Sequence, residues 1–221
     1  MIRVKFLDKH KRVRNMLVAL AMFICTNICL GAFDIKFDIK GESVFQNSKK
    51  TINQLKKSAE QGDADAQFDL AGMYYEGKGV KQDYKEAFNW YKKSAEQGFA
   101  EAQHNLGVMY REGEGVKQDY KEAFKWFKKS AEQGEADAQF GLGGMYYKGL
   151  GVKQDYKEAF NWCKKSAEQG FAEAQYNLGL MYHEGKGVKQ DYKEAMNWFK
   201  KAAEQGHSGA KTELTKILES K

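Results

Sequence analysis

The chain has 221 residues, no proline, 14% aromatic residues and a formal net charge of +6. Such a charge would suit a nucleic-acid or anionic-membrane partner if the folded body carried it. The body does not carry it. Arg3, Lys5, Lys9, Lys11, Arg12 and Arg14, set against Asp8, place most of the excess in the first 32 residues. The remainder is nearly neutral and lacks the electrostatic footprint that phosphate binding needs.

Residues 1–32 read as a bacterial-type secretion signal: a basic start, an apolar run from Met16 to Leu30, then Leu30-Gly31-Ala32 as a small-residue cleavage site. Thr26 and Asn27 interrupt the run, which is shorter than the ~20 apolar residues of a membrane span. An uncleaved anchor is the alternative. Cys25 and Cys29 follow Phe23-Ile24 and Asn27-Ile28, residues too bulky for a lipidation site. Cleavage would leave Cys163 alone, so the fold has to stand on packing without a disulfide. Residues 33–47, with the tandem Phe33–Lys36 and Phe37–Lys40 of sequence Phe-Asp-Ile-Lys, read as a linker.

From residue 48 to 221 the chain repeats itself. Trp90, Trp126, Trp162 and Trp198 recur at a fixed spacing of 36 residues, a period that marks a solenoid. Four near-copies run over residues 58–93, 94–129, 130–165 and 166–201. In the first copy Ala66, Leu70, Met73 and Tyr74 have the spacing of an apolar helical stripe, which Gly77 stops. A second helix starts at Asp83, whose carboxylate can cap it, with Glu86 three residues on. Its stripe is Tyr84, Ala87, Phe88, Tyr91 and Ala95 beside Trp90, with Gly98 as the C-terminal stop. Each copy is therefore a helical hairpin too short to bury its own aromatic face, and the copies have to stack. Half-repeats cap both ends: Ile52 and Leu55 lead the array, and Ala210 and Leu214 within residues 207–221 close it. The pattern predicts ten helices.

The motif Ala66, Leu70, Tyr74, Gly77-x-Gly79-Val80, Asp83, Ala87, Trp90, Lys93 and Gln97-Gly98 resembles the Sel1-like repeat, a relative of the tetratricopeptide repeat. Ala71 departs from the glycine of the other copies, Gly107, Gly143 and Gly179. The resemblance implies an all-α, right-handed solenoid whose first helices line a concave groove, used as a protein-binding scaffold and requiring no cofactor. Cysteine-rich relatives described as β-lactamases offer an enzyme alternative. They use paired cysteines, which this chain lacks, and a structural envelope protein is the other alternative.

Catalytic and metal signals are weak. Gly77-Lys78-Gly79 has the glycines of a phosphate loop, but no strand precedes it and its central residue changes to Glu114 and Leu150, so it reads as a turn. His104, His183 and His207 lack metal-ligand spacing. Cys163 replaces the aromatic of Tyr91, Phe127 and Phe199, which predicts a buried, inert thiol.

The copies disagree mainly on one face of the first helix. There the aligned positions are Phe68, His104, Phe140 and Tyr176; Asp69, Asn105, Gly141 and Asn177; Gly72, Val108, Gly144 and Leu180; Tyr75, Arg111, Tyr147 and His183. Drift on a solvent face is one explanation. The other is a partner-binding ladder formed by Phe68, His104, Phe140 and Tyr176 with Tyr75, Asn105, Arg111, Tyr147, Asn177 and His183. Acids at Asp65, Glu101, Asp137 and Glu173 beside it favour a protein or peptide partner carrying Lys or Arg, bound by a monomer. Neither nucleic acid nor, after cleavage, a membrane is expected as a partner.

Export with processing after Ala32 is expected in the producing cell. Intact-mass measurement of the native protein checks it, and a full-length mass carrying residue 1 refutes it.

Overall fold

The computed structural model describes residues 44–219. The expected secretion signal and all but the end of the expected linker lie outside the described residues. Ten helices and no strand are found among the described residues: α1 (Val44–Glu60), α2 (Ala64–Glu76), α3 (Tyr84–Glu96), α4 (Ala100–Glu112), α5 (Tyr120–Glu132), α6 (Ala136–Lys148), α7 (Tyr156–Glu168), α8 (Ala172–Glu184), α9 (Tyr192–Glu204) and α10 (Ser208–Glu219). The first helix begins four residues inside the expected linker of 33–47, because Val44–Asn47 continue the helical run of the leading half-repeat.

Local chemistry explains the starts of the second helices and the turns before them. Asp83, Asp119, Asp155 and Asp191 cap α3, α5, α7 and α9, each carboxylate accepting from the two backbone N–H groups two and three residues on. At the other ends, Gly77 and Gly79 adopt φ of 73° and 74°, which turns the chain between the two helices of a hairpin. The equivalent of Gly79 also sets the distance between repeats. A Cβ on Gly115, Gly151 or Gly187 would collide with the backbone carbonyl of Tyr84, Tyr120 or Tyr156 in the preceding repeat. The glycine pair is thus a turn and a point of contact between repeats, as the turn reading required.

Each helix packs chiefly on the one before it and the one after it. Ala87, Ala123, Ala159 and Ala195 are all but inaccessible, as are Leu70, Leu106, Leu142 and Leu178. The tryptophans span the joints: Trp126 lies in one cluster with Tyr91 and Ala95 of α3 and with Leu106 and Met109 of α4. Trp126 and Trp198 are buried, whereas Trp90 and Trp162 are half-buried, so the four core positions are not equivalent. Tyr84, placed in the core stripe by its spacing, is exposed at the first position of α3, as is Tyr192 at the first position of α9.

A second joint is polar. Gln67, Gln103, Gln139 and Gln175 are buried, and their amides donate to the carbonyls of Ala59, Ala95, Ala131 and Ala167 on the preceding helix. Their own side-chain oxygens accept from Gln97, Gln133, Gln169 and Gln205 at 2.8–2.9 Å. Ser94, Ser130 and Ser166 donate across each hairpin to Ala64, Ala100 and Ala136. No buried side-chain nitrogen or oxygen among the described residues is left unpaired.

The lysine pairs divide their work. Lys93, Lys129, Lys165 and Lys201 lie 3.8–4.1 Å over the rings of Trp90, Trp126, Trp162 and Trp198. Their neighbours Lys92, Lys128 and Lys164 form exposed pairs with Glu96, Glu132 and Glu168.

Trp126→Ala is expected to destabilise the array by about 3 to 5 kcal/mol in urea melts, through the cavity left at the joint. Trp198→Ala should cost less, because it lies near the end of a nearest-neighbour stack. Equal losses contradict that picture.

Candidate partner-binding face

The variable positions fall on α2, α4, α6 and α8, as their spacing predicts, but their rings are not bare. Phe68 lies 5.6 Å from Tyr91 and 5.0 Å from Phe99; Phe140 lies 5.3 Å from Phe171; Tyr176 stacks on His207 at 4.4 Å. Phe99, Phe171 and His207 precede the next first helix or the closing helix, so the rings pack between successive units. His104 instead faces Phe127 at 5.6 Å, since Glu135 stands where the others have a ring. All four are half-buried. The expectation of a solvent-facing aromatic ladder is corrected accordingly: each ring is half-buried against its own chain, by the next unit at Phe68, Phe140 and Tyr176 and by the same hairpin at His104. Phe99, Phe171 and His207 were missed in the sequence because they precede the helices that carry the periodic signal.

The other ladder residues form a second row. Tyr75, Tyr147 and His183 meet Tyr84, Tyr156 and Tyr192 edge-on at 5.1–5.2 Å. Each row also reaches the next turn: Tyr75 donates to Glu114 at 2.7 Å, and Lys186 donates to the hydroxyl of Tyr147 at 2.6 Å. The bond to Glu114 holds the Tyr75 phenol up at about 12. Arg111 pairs with Glu112 at 2.6 Å and lies 5.6 Å from the Phe127 ring. Asn105 hydrogen-bonds Tyr91, and Asn177 donates to the Glu173 carbonyl at 2.8 Å.

The aromatic rings of the face are thus all packed in part against their own chain. Arg111, Phe140, Tyr147 and Asn177 converge on an apolar cavity of ≈ 350 Å³ in the third repeat. The acids Asp65, Glu101, Asp137 and Glu173 are exposed in all four repeats, with Glu173 2.9 Å from His207.

Cys163 is buried, donates to the Ala174 carbonyl at 3.3 Å, and has its thiol pushed up to about 12 by burial, the reverse of an activated thiolate. An S-x-x-K spacing does occur, Ser208 to Lys211, but both residues are exposed on the first turn of α10. No group of three His, Cys, Asp or Glu residues able to hold a metal ion is present among the described residues.

A stack of near-identical helical hairpins with a conserved frame and one varied face defines a helical-repeat solenoid. The Sel1 repeat model matches residues 39–63, 64–99, 100–135, 136–171 and 172–207, and the chain belongs to the Sel1 repeat family. That frame starts six residues later than the copies as laid out from Ser58, and its shorter first unit corresponds to the leading half-repeat. Among solved structures, a protective antigen present in uropathogenic Escherichia coli strains and displaying an SLR fold is 44% identical, with a TM-score of 0.70. That match covers 72% of this chain and 34% of the antigen. A Sel1 repeat protein from Oxalobacter formigenes is 38% identical, with a TM-score of 0.70 over 77% of this chain and 49% of that one. The chain thus spans between a third and a half of these relatives. No curated protein matches it significantly. Sel1 repeat proteins generally mediate protein–protein interaction.

His104 supplies a pH test of the packing. Burial lowers its pKa from the ordinary histidine value; Asp137 and Asn105 oppose the shift and Arg111 adds to it. The folded state therefore favours the neutral ring, and its contribution is present above the unfolded pKa and lost as pH falls through the folded one. Relative to His104→Phe, wild type should lose stability in urea melts as pH falls through and below the ordinary histidine value. A pH-independent difference refutes it.

Proposed function

We propose that the chain is a protein-binding scaffold, exported to the periplasm or the cell exterior, that holds a peptide or protein partner along the groove face of α2, α4, α6 and α8. The observation that carries this reading is the division within each repeat. Frame residues stay the same, while the first-helix face varies and gathers Arg111, Phe140, Tyr147 and Asn177 around one cavity. Variation confined to one face of an otherwise copied unit suits a surface that discriminates between partners, as scaffold repeats do. Export is supported by the basic and then apolar first 32 residues. No helix among the described residues is long and apolar enough to cross a membrane.

The exposed acids set the partner's chemistry. Asp65, Glu101 and Asp137 recur at one repeat's spacing along the face, which favours a partner bearing Lys or Arg and an association that weakens as salt rises. With a partner captured from envelope extracts, the triple change Asp65→Asn, Glu101→Gln, Asp137→Asn should lower affinity about tenfold and flatten its salt dependence. Replacing Lys92 and Lys128 on the second helices should leave binding unchanged. The opposite pattern in calorimetry refutes this orientation.

A further inference from the structure

The four repeats are near-copies, so each serves as a control for the others. At one position of the second helix three repeats place a large ring, Tyr91, Phe127 or Phe199, opposite a small residue of the first helix, Ala71, Gly107 or Gly179. The fit is close: a Cβ on Gly107 would stand 3.1 Å from the Phe127 ring, and one on Gly179 would stand 2.6 Å from the Phe199 ring. The third repeat keeps the glycine, Gly143, but puts Cys163 where the ring belongs. One more side chain shrinks at the same place. Gly144 stands where Val108 and Leu180 stand, and a Cβ on it would meet nothing within 4 Å, whereas one on Gly141 would stand 3.1 Å from the Phe127 ring.

The consequence is the cavity of ≈ 350 Å³, lined by Gly143, Gly144, Cys163, Met181, Phe140 and Leu180. It is large enough for an aromatic side chain, and its largely apolar lining, open to solvent on one side, favours an apolar occupant. Its rim carries an uneven charge. Arg111 is paired with Glu112 at 2.6 Å and Glu184 with Lys186 at 2.8 Å, whereas Lys148 is exposed and makes no ion pair among the described residues. One cation at the mouth is left to complement an anion.

We infer that the third repeat is an anchor pocket for one aromatic side chain of the bound partner, flanked by an acidic residue that faces Lys148. The ring that the other repeats supply from their own second helix comes here from outside. The source of the ring rests on the partner-binding reading above. The chemistry of the pocket does not, and can be tested without a partner.

The probe is the blocked dipeptide acetyl-Glu-Phe-amide, titrated into the full folded chain while the amide resonances of Gly144 and Met181 are followed. Saturable shifts are expected with a Kd of about 1–10 mM, the range of a single anchoring side chain. Acetyl-Glu-Ala-amide should give none, and acetyl-Lys-Phe-amide should bind more weakly. Two substitutions copied from sister repeats fill the hollow: Cys163→Phe from within, and Gly144→Leu from the open rim. Each should weaken the probe about tenfold or more while retaining the helical circular dichroism spectrum. Gly144→Leu carries the comparison if Cys163→Phe does not fold. The absence of saturable shifts in wild type, or undiminished binding in a folded filled variant, overturns the pocket. A captured partner that binds both filled variants as tightly as wild type, yet is weakened by loss of the acids, also overturns it and leaves the groove reading standing.

Discussion

Each joint in this array is held by a buried glutamine that satisfies both of its polar ends on different helices. The amide of Gln103 donates to the Ala95 carbonyl at 3.1 Å, and its oxygen accepts from Gln133 at 2.8 Å. A buried amide stripped of a partner costs about 1–3 kcal/mol, more than a made bond returns. Sliding one helix along its neighbour would strip several at once. Apolar faces alone would tolerate such a slip, so this polar seam is what fixes the register between repeats. Glycines enforce the same register sterically, because only hydrogen at Gly115, Gly151 and Gly187 admits the carbonyl of the preceding repeat.

With the frame held at these points, the first-helix face is relieved of structural duty in proportion to its distance from the joints. Phe68 and Tyr176 are still partly recruited, through Phe99 and His207, and contribute to packing between units. Phe140 of the third repeat is recruited in the same way, through Phe171. In that repeat Gly144 and Cys163 stand where the second and fourth repeats have larger side chains, and the glutamine seam is intact on both sides. A modular stack can tolerate such local underpacking where a single shared core could not.

The charges are sorted by face. On the second helices Lys93, Lys129, Lys165 and Lys201 cover tryptophan rings, so their role is largely intramolecular and they do not form a free basic patch. On the first helices the acids Asp65, Glu101 and Asp137 stay exposed. A nearly neutral body thus carries a regular row of acids on this face, beside the cations Arg111 and Lys148.

The sequence by itself determined the architecture: the 36-residue spacing of Trp90, Trp126, Trp162 and Trp198, the capping Asp83 and its copies, and the Gly77–Gly79 turn were enough for ten helices in hairpins. Those features are local or periodic, and a one-dimensional pattern carries them in full. It also placed Cys163 in the core, because its sister positions are aromatic. Only the tertiary structure decided how exposed the variable face is, and which of its residues meet. Phe99, Phe171 and His207 lie outside any helical period, yet stacking brings them onto Phe68, Phe140 and Tyr176. The hollow in the third repeat depends on small residues of two helices, Gly144 and Cys163, facing one volume. Periodicity records which side chains share a face, but not how much space their neighbours leave.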